Sequence, residues 1–185
     1  SFTAGKAPTW APSSVIEPGS AGATTFTRDN AGRITRILAP VPPGVDCSSG
    51  TLGVGCRALN ISYASATTAT ATNAGDIKGQ VRAIDYVAWD PATSVMVTTP
   101  VAAYSYDVEG RLVKVTDPRT GLATSYGYEG SSASEQPLLR SVTPSGLAGF
   151  TLDYGQASQD KQSLLSVSRD PATAGGAKHT LARFV

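Results

Sequence analysis

The chain has 185 residues, 41% hydrophobic and 16% charged, with 19 glycines and a net charge of +1. That suffices for one ordinary domain or a piece of something larger, and the Ser, Thr and Gly that take the place of charge suit β-structure with many turns. No Lys/Arg block marks a nucleic-acid partner, and no run of roughly 18 apolar residues offers a membrane span.

Residues 1–23, with Pro8, Pro12 and Pro18, read as an extended lead-in that uses Trp10, Val15 and Ile16 as anchors onto a neighbour. Residues 24–40 contain "TTFTRDNAGRITRIL", a strand, a tight turn at Asp29–Gly32 and a second strand, ended by Pro40, Pro42 and Pro43. Residues 41–78 break the pattern and read as an insertion. Its "CSSGTLGVGC" carries Cys47 and Cys56, the ends of a flexible loop that can meet at disulfide distance. Closing it is worth roughly 2–3 kcal/mol in the chain-entropy model. Free thiols and zinc are the alternatives, but zinc needs two further ligands and His179 is the single histidine. A disulfide implies a location outside the cytosol.

A strand is predicted around Leu59, Ile61 and Tyr63. The Thr/Ala alternation after it fits a weak strand or a mobile loop equally well. Residues 79–185 resume strand signals with "QVRAIDYVAW", a "DPAT" turn and "SVMVTT". No long amphipathic helix is predicted; the nearest candidate, "ASEQPLLRSV", is cut by Pro137. With Met96 the sole methionine and no leader, the chain reads as a segment of a longer polypeptide, whose end strands would be free to add a partner strand or a second copy.

Three tetrapeptides nearly coincide: "DPAT" at Asp90, "DPRT" at Asp117 and "DPAT" at Asp170. In each, Pro presets φ and the Asp carboxylate can accept a backbone N–H two residues on. A Leu-x-x-Val step recurs at Leu112/Val115, Leu139/Val142 and Leu164/Val167. Aromatic strands alternate with these steps: Tyr104 with Tyr106, and Leu122, Thr124, Tyr126 and Tyr128 on one face. Recurrence about every 25–30 residues marks a stacked architecture in which no repeat buries its own face alone.

"YSYDVEGRLVKVTDPRTG" resembles the YD repeat of RHS-repeat proteins, through Tyr104, Tyr106, Asp107, Gly110, Arg111, Leu112, Asp117, Pro118 and Gly121. The likeness runs most closely from Tyr104 to Gly146, taking in Tyr126 and Tyr128, and more loosely through "FTRDNAGRITRI". With the cysteine insertion, "YVAWDPATSVM" and "LLSVSRDPAT", the chain is similar to large secreted bacterial YD-repeat proteins of the teneurin-like group. The resemblance implies an all-β fold of antiparallel hairpins in a spiralling shell, of which this chain is an open strip. Such shells enclose or present a C-terminal region, in some members a toxin that is cut free.

No catalytic constellation stands out. "DPRTGL" echoes the family's cleavage elements but has one residue too many and reads as a turn. His179 lacks a nucleophile elbow and reads as a solvated residue. Asp85 with Asp90, and Asp107 with Glu109, flank turns and read as strand-end residues, not a glycosidase pair. "DNAGR" and "TNAGD" lack the acids of a calcium loop, and "NIS" at Asn60 matches a glycosylation triplet by form alone. The expectation is thus a non-enzymatic, cofactor-free extracellular scaffold whose partners are neighbouring repeats and an enclosed region. The second reading is a surface adhesion or glycan-binding module, with Trp89 as the first exposed aromatic to suspect and Tyr86 beside it.

Overall fold

The computed structural model describes residues 11–19, 22–48, 52–129, 137–155, 163–171 and 175–184. It is all-β, as the sequence predicts: twelve antiparallel strands in one open sheet whose hydrogen-bonded order is the chain order. No helix occurs among the described residues, so none is long and apolar enough to cross a membrane. The chain divides into two units, Ser1–Ser62 with Ile84–Thr99, and Tyr63–Ala83 with Pro100–Val185.

The first unit holds β1 (Ser14–Val15), β2 (Thr24–Arg28), β3 (Ile34–Leu38) and most of β4 (Arg57–Tyr63), with parts of β5 (Val81–Asp90) and β6 (Val95–Tyr106). Two rows cross it: Thr25, Leu38 and Ala58, and Phe26, Ile37 and Leu59. Strand alternation sends these rows to opposite faces. The loop between β3 and β4 packs on the first. Its Cys47–Cys56 disulfide has S–S 2.05 Å, and the cysteines are 5% and 3% exposed. With Leu52, Ala58 and Val87 they form a core that Leu38, Val41, Val45 and Met96 complete. Of the three cysteine readings, the disulfide is the one observed.

The second unit continues with the rest of β6, then β7 (Leu112–Thr116), β8 (Ala123–Glu129), β9 (Leu138–Pro144), β10 (Phe150–Tyr154), β11 (Leu164–Arg169) and β12 (His179–Arg183). Its two faces differ in chemistry. One bears Tyr104, Val115, Thr124 and Pro144 in a row, then Tyr126, Val142 and Phe150, then Leu152, Val167 and Ala182. The other bears Ser105, Lys114, Ser125 and Thr143, and Gly127, Ser141, Thr151, Ser168 and Thr180. The apolar residues in those three rows are half-buried, none of them enclosed. A sheet with one apolar and one polar face gains stability by covering the apolar one.

Several local expectations resolve here. The Thr/Ala stretch is a loop, not a strand: Thr68 and Ala69 N–H donate to the Asp76 carbonyl, and Gly75 bonds Tyr106 in both directions, at 2.9 and 2.7 Å. The segments "SVMVTT" and "YSY" form one strand, β6, through Pro100. β7 pairs with β6 only from Ala103 onward, so the proline lies outside that ladder. Leu122 does not join the aromatic strand. It closes the preceding turn, accepting from Asp117 N–H at 2.8 Å, and is 59% exposed. Residues 138–142 of the weak helix candidate belong to β9; Ala133–Gln136 lie outside the described residues.

Candidate functional site

The repeat residues build two kinds of turn and one recurring brace. In the Asp-x-x-Gly-Arg turn after β6, Asp107 N–H donates to the Arg111 carbonyl and Gly110 N–H to the Asp107 carbonyl, each at 3.0 Å. The Asp107 carboxylate accepts from the Arg111 backbone N–H and, as a salt bridge, from its guanidinium. Arg111 also pairs with Glu109 at 3.2 Å. Gly110 has φ 83°, a left-handed value that costs a side-chain-bearing residue energy. Asp29, Gly32 and Arg33 make the same bonds between β2 and β3. Arg33 holds the Asp29 carboxyl below its ordinary value, chiefly by a side-chain hydrogen bond. Both carboxylate oxygens are spent inside the turn, which explains "DNAGR" as a hairpin and not a cation loop.

The Asp-Pro turns work differently. Asp117 accepts from Arg119 N–H at 2.9 Å and twice from its guanidinium. Those contacts, led by the side-chain hydrogen bond, lower its pKa to about 2. Gly121 N–H donates to the Asp117 carbonyl at 2.8 Å. Pro118 sits at the turn position where its fixed φ is wanted. Asp90 accepts from Ala92 N–H and from the Thr93 hydroxyl, and the hydroxyl is the larger cause of its lowered pKa. Asp170 turns instead toward β10, accepting from the Thr151 hydroxyl at 2.8 Å beside Lys178. The residue two positions after Asp170 lies outside the described region.

The brace has no counterpart in the sequence patterns. Among the described residues, the ladder skips one residue of the second strand in five antiparallel pairings: Thr35, Val113, Arg140, Leu165 and Leu181. Each is a β-bulge, which disrupts the ladder locally and increases twist. Opposite the bulges, Tyr106 faces Leu112, Tyr128 faces Leu139 and Tyr154 faces Leu164. Each of these tyrosines donates its hydroxyl back across the previous strand: Tyr106 to the Val81 carbonyl at 2.7 Å, Tyr128 to Leu112 at 2.9 Å, and Tyr154 to Leu139 at 3.0 Å. Leu112 and Leu139 thus each pair with one tyrosine and accept from the next. The three hydroxyls form a staircase, and two of them supply donors to carbonyls, those of Leu112 and Leu139, that stand beside a bulge. Burial raises the pKa of Tyr106 and Tyr128, and the Arg111 guanidinium lies 5.3 Å from the Tyr128 ring centre.

The remaining candidates scatter. Tyr86 is 39% exposed, whereas Trp89 is half-buried. Three positions apart on β5, they fall on opposite faces under strand alternation and form no common platform. His179 is exposed on β12 opposite Arg169. Asn60 lies within β4, its side-chain oxygen accepting from Arg36 at 2.9 Å, so the glycosylation triplet sits inside the ladder. Among the described residues no group of three His, Cys, Asp or Glu could hold a metal. No family model matches the chain, and no curated protein matches it in sequence.

Proposed function

We propose that this chain is a strip of wall in a secreted YD-repeat shell, a scaffold with no catalytic site of its own. The observation that carries the reading is the half-buried Tyr/Leu/Val face of the second unit, braced at regular intervals by Tyr106, Tyr128 and Tyr154. Bracing of a half-buried apolar sheet face suits a layer that gains its remaining cover from other polypeptide. The cysteine pair supports assembly in an oxidising compartment. The natural partners are neighbouring repeats and a C-terminal region enclosed or presented by the wall.

Limited proteolysis of the parent polypeptide tests this. The region that follows the repeats should resist added protease while the wall is folded and be cut once denaturant opens it. Immediate digestion of that region in native buffer would count against enclosure.

A further inference from the structure

The first unit carries a feature that a wall segment does not need. Its disulfide loop covers one face of β3 and β4, and the opposite face holds a trough of ≈ 360 Å³. Ile37 and Leu59, adjacent across the strands, lie in it with Ala39, Thr24, Arg57 and Tyr86. Tyr86 is exposed. Three of the unit's four arginines spend their guanidinium inside the protein: Arg28 on the Gly32 and Pro12 carbonyls, Arg33 on Asp29, and Arg36 on Asn60. The fourth, Arg57, is exposed and its guanidinium has no partner among the described residues.

We propose that this trough binds an acidic saccharide, with Tyr86 lying against the apolar face of a sugar ring and Arg57 pairing with its carboxylate. A planar ring, an aliphatic floor and one unspent guanidinium make an apolar site with a single charged anchor. Arg is the side chain whose fork matches a carboxylate. Peptides fit less well. β3 is paired on both sides, by β2 and β4, so an extended chain finds no free backbone edge there. The inference does not rest on the wall reading, and either can fail alone.

Titration calorimetry with tetragalacturonate, and with its methyl ester as the uncharged counterpart, tests the proposal on the full chain. Saturable binding of the acid is expected, weakened at least about tenfold by Arg57→Gln, the loss of one charge-assisted contact. Tyr86→Ala should weaken the acid and any residual ester binding alike. Unchanged melting curves for both variants show that they fold, and chemical-shift changes in the unmutated chain should centre on Ile37, Leu59 and Tyr86. Binding of the ester as tight as that of the acid, indifference to Arg57→Gln, or no saturable binding of the acid overturns the proposal.

Discussion

Tyr128→Phe isolates one step of the staircase. The substitution keeps the ring, its place opposite Leu139 and its contact with the Arg111 guanidinium, and removes only the hydroxyl that donates to Leu112 at 2.9 Å. A typical intramolecular hydrogen bond contributes about 0.5–1.5 kcal/mol net. Tyr128 is half-buried, so water partly replaces the lost donor, and the expected loss is about 1 kcal/mol. In a chain of this length that lowers the melting temperature by about 2–4 °C. Tyr104→Phe and Tyr126→Phe are the controls, because neither hydroxyl has a hydrogen-bond partner among the described residues, and both should leave stability unchanged. Tyr128→Phe with Tyr154→Phe should be non-additive, since Leu139 faces one tyrosine and accepts from the other. Urea unfolding followed by fluorescence reads the four single variants and the double variant. Equal stability of Tyr128→Phe and Tyr126→Phe would refute the bracing role of the hydroxyl.

The same staircase gives a pH dependence. Burial raises the folded pKa of Tyr106 and Tyr128 above the ordinary value of 10.0, so folding favours the protonated, donating form. The stabilisation is fully present below that ordinary value and is lost as pH rises through the folded values; a melting temperature flat across that range would contradict it. Reduction of Cys47–Cys56, or Cys47→Ser, should cost about 2.7 kcal/mol from loop closure, read as a melting shift with and without reductant. No shift would mean that the loop packs without its crosslink. Asp117 should titrate in NMR with a midpoint of about 2, releasing Arg119 as pH falls through that value; a midpoint at the ordinary 3.8 would remove the pairing. Gly75→Ala places a Cβ 2.8 Å from the Ala69 backbone nitrogen, so the loop must shift, and faster amide exchange at Tyr106 is expected. Unchanged exchange there would show that Gly75 does not secure the bridge.

Turn chemistry was the most legible part of the sequence. Asp29–Gly32, Asp90-Pro91 and Asp117-Pro118 announce their turns because Gly and Pro restrict or release φ locally, and neighbouring side chains complete the bonding. The bulges were visible without being read as such. Leu112/Val115, Leu139/Val142 and Leu164/Val167 sit three apart, whereas a regular strand returns to one face every two residues. The extra residue is the bulge, and it returns Leu and Val to the face of the paired tyrosines. The destination of the tyrosine hydroxyls was hidden, because it lies on the strand that precedes the tyrosine's own, not on the one it faces in its hairpin. The Tyr86 trough was hidden for a like reason: its residues come from four strands and the loop after β3, and the sequence neighbour Trp89 falls on the opposite face. The Thr/Ala loop escaped a decision because Thr favours strands while Ala and Gly do not; hydrogen bonds around Asp76 decide it.

Electron cryo-microscopy of the parent polypeptide measures the central claim most directly. The wall account predicts a closed, hollow particle in which this sheet forms one strip, continued by neighbouring strands, with the Tyr106, Tyr128 and Tyr154 face covered by other polypeptide. A separate, solvent-surrounded sheet with that face bare would contradict it.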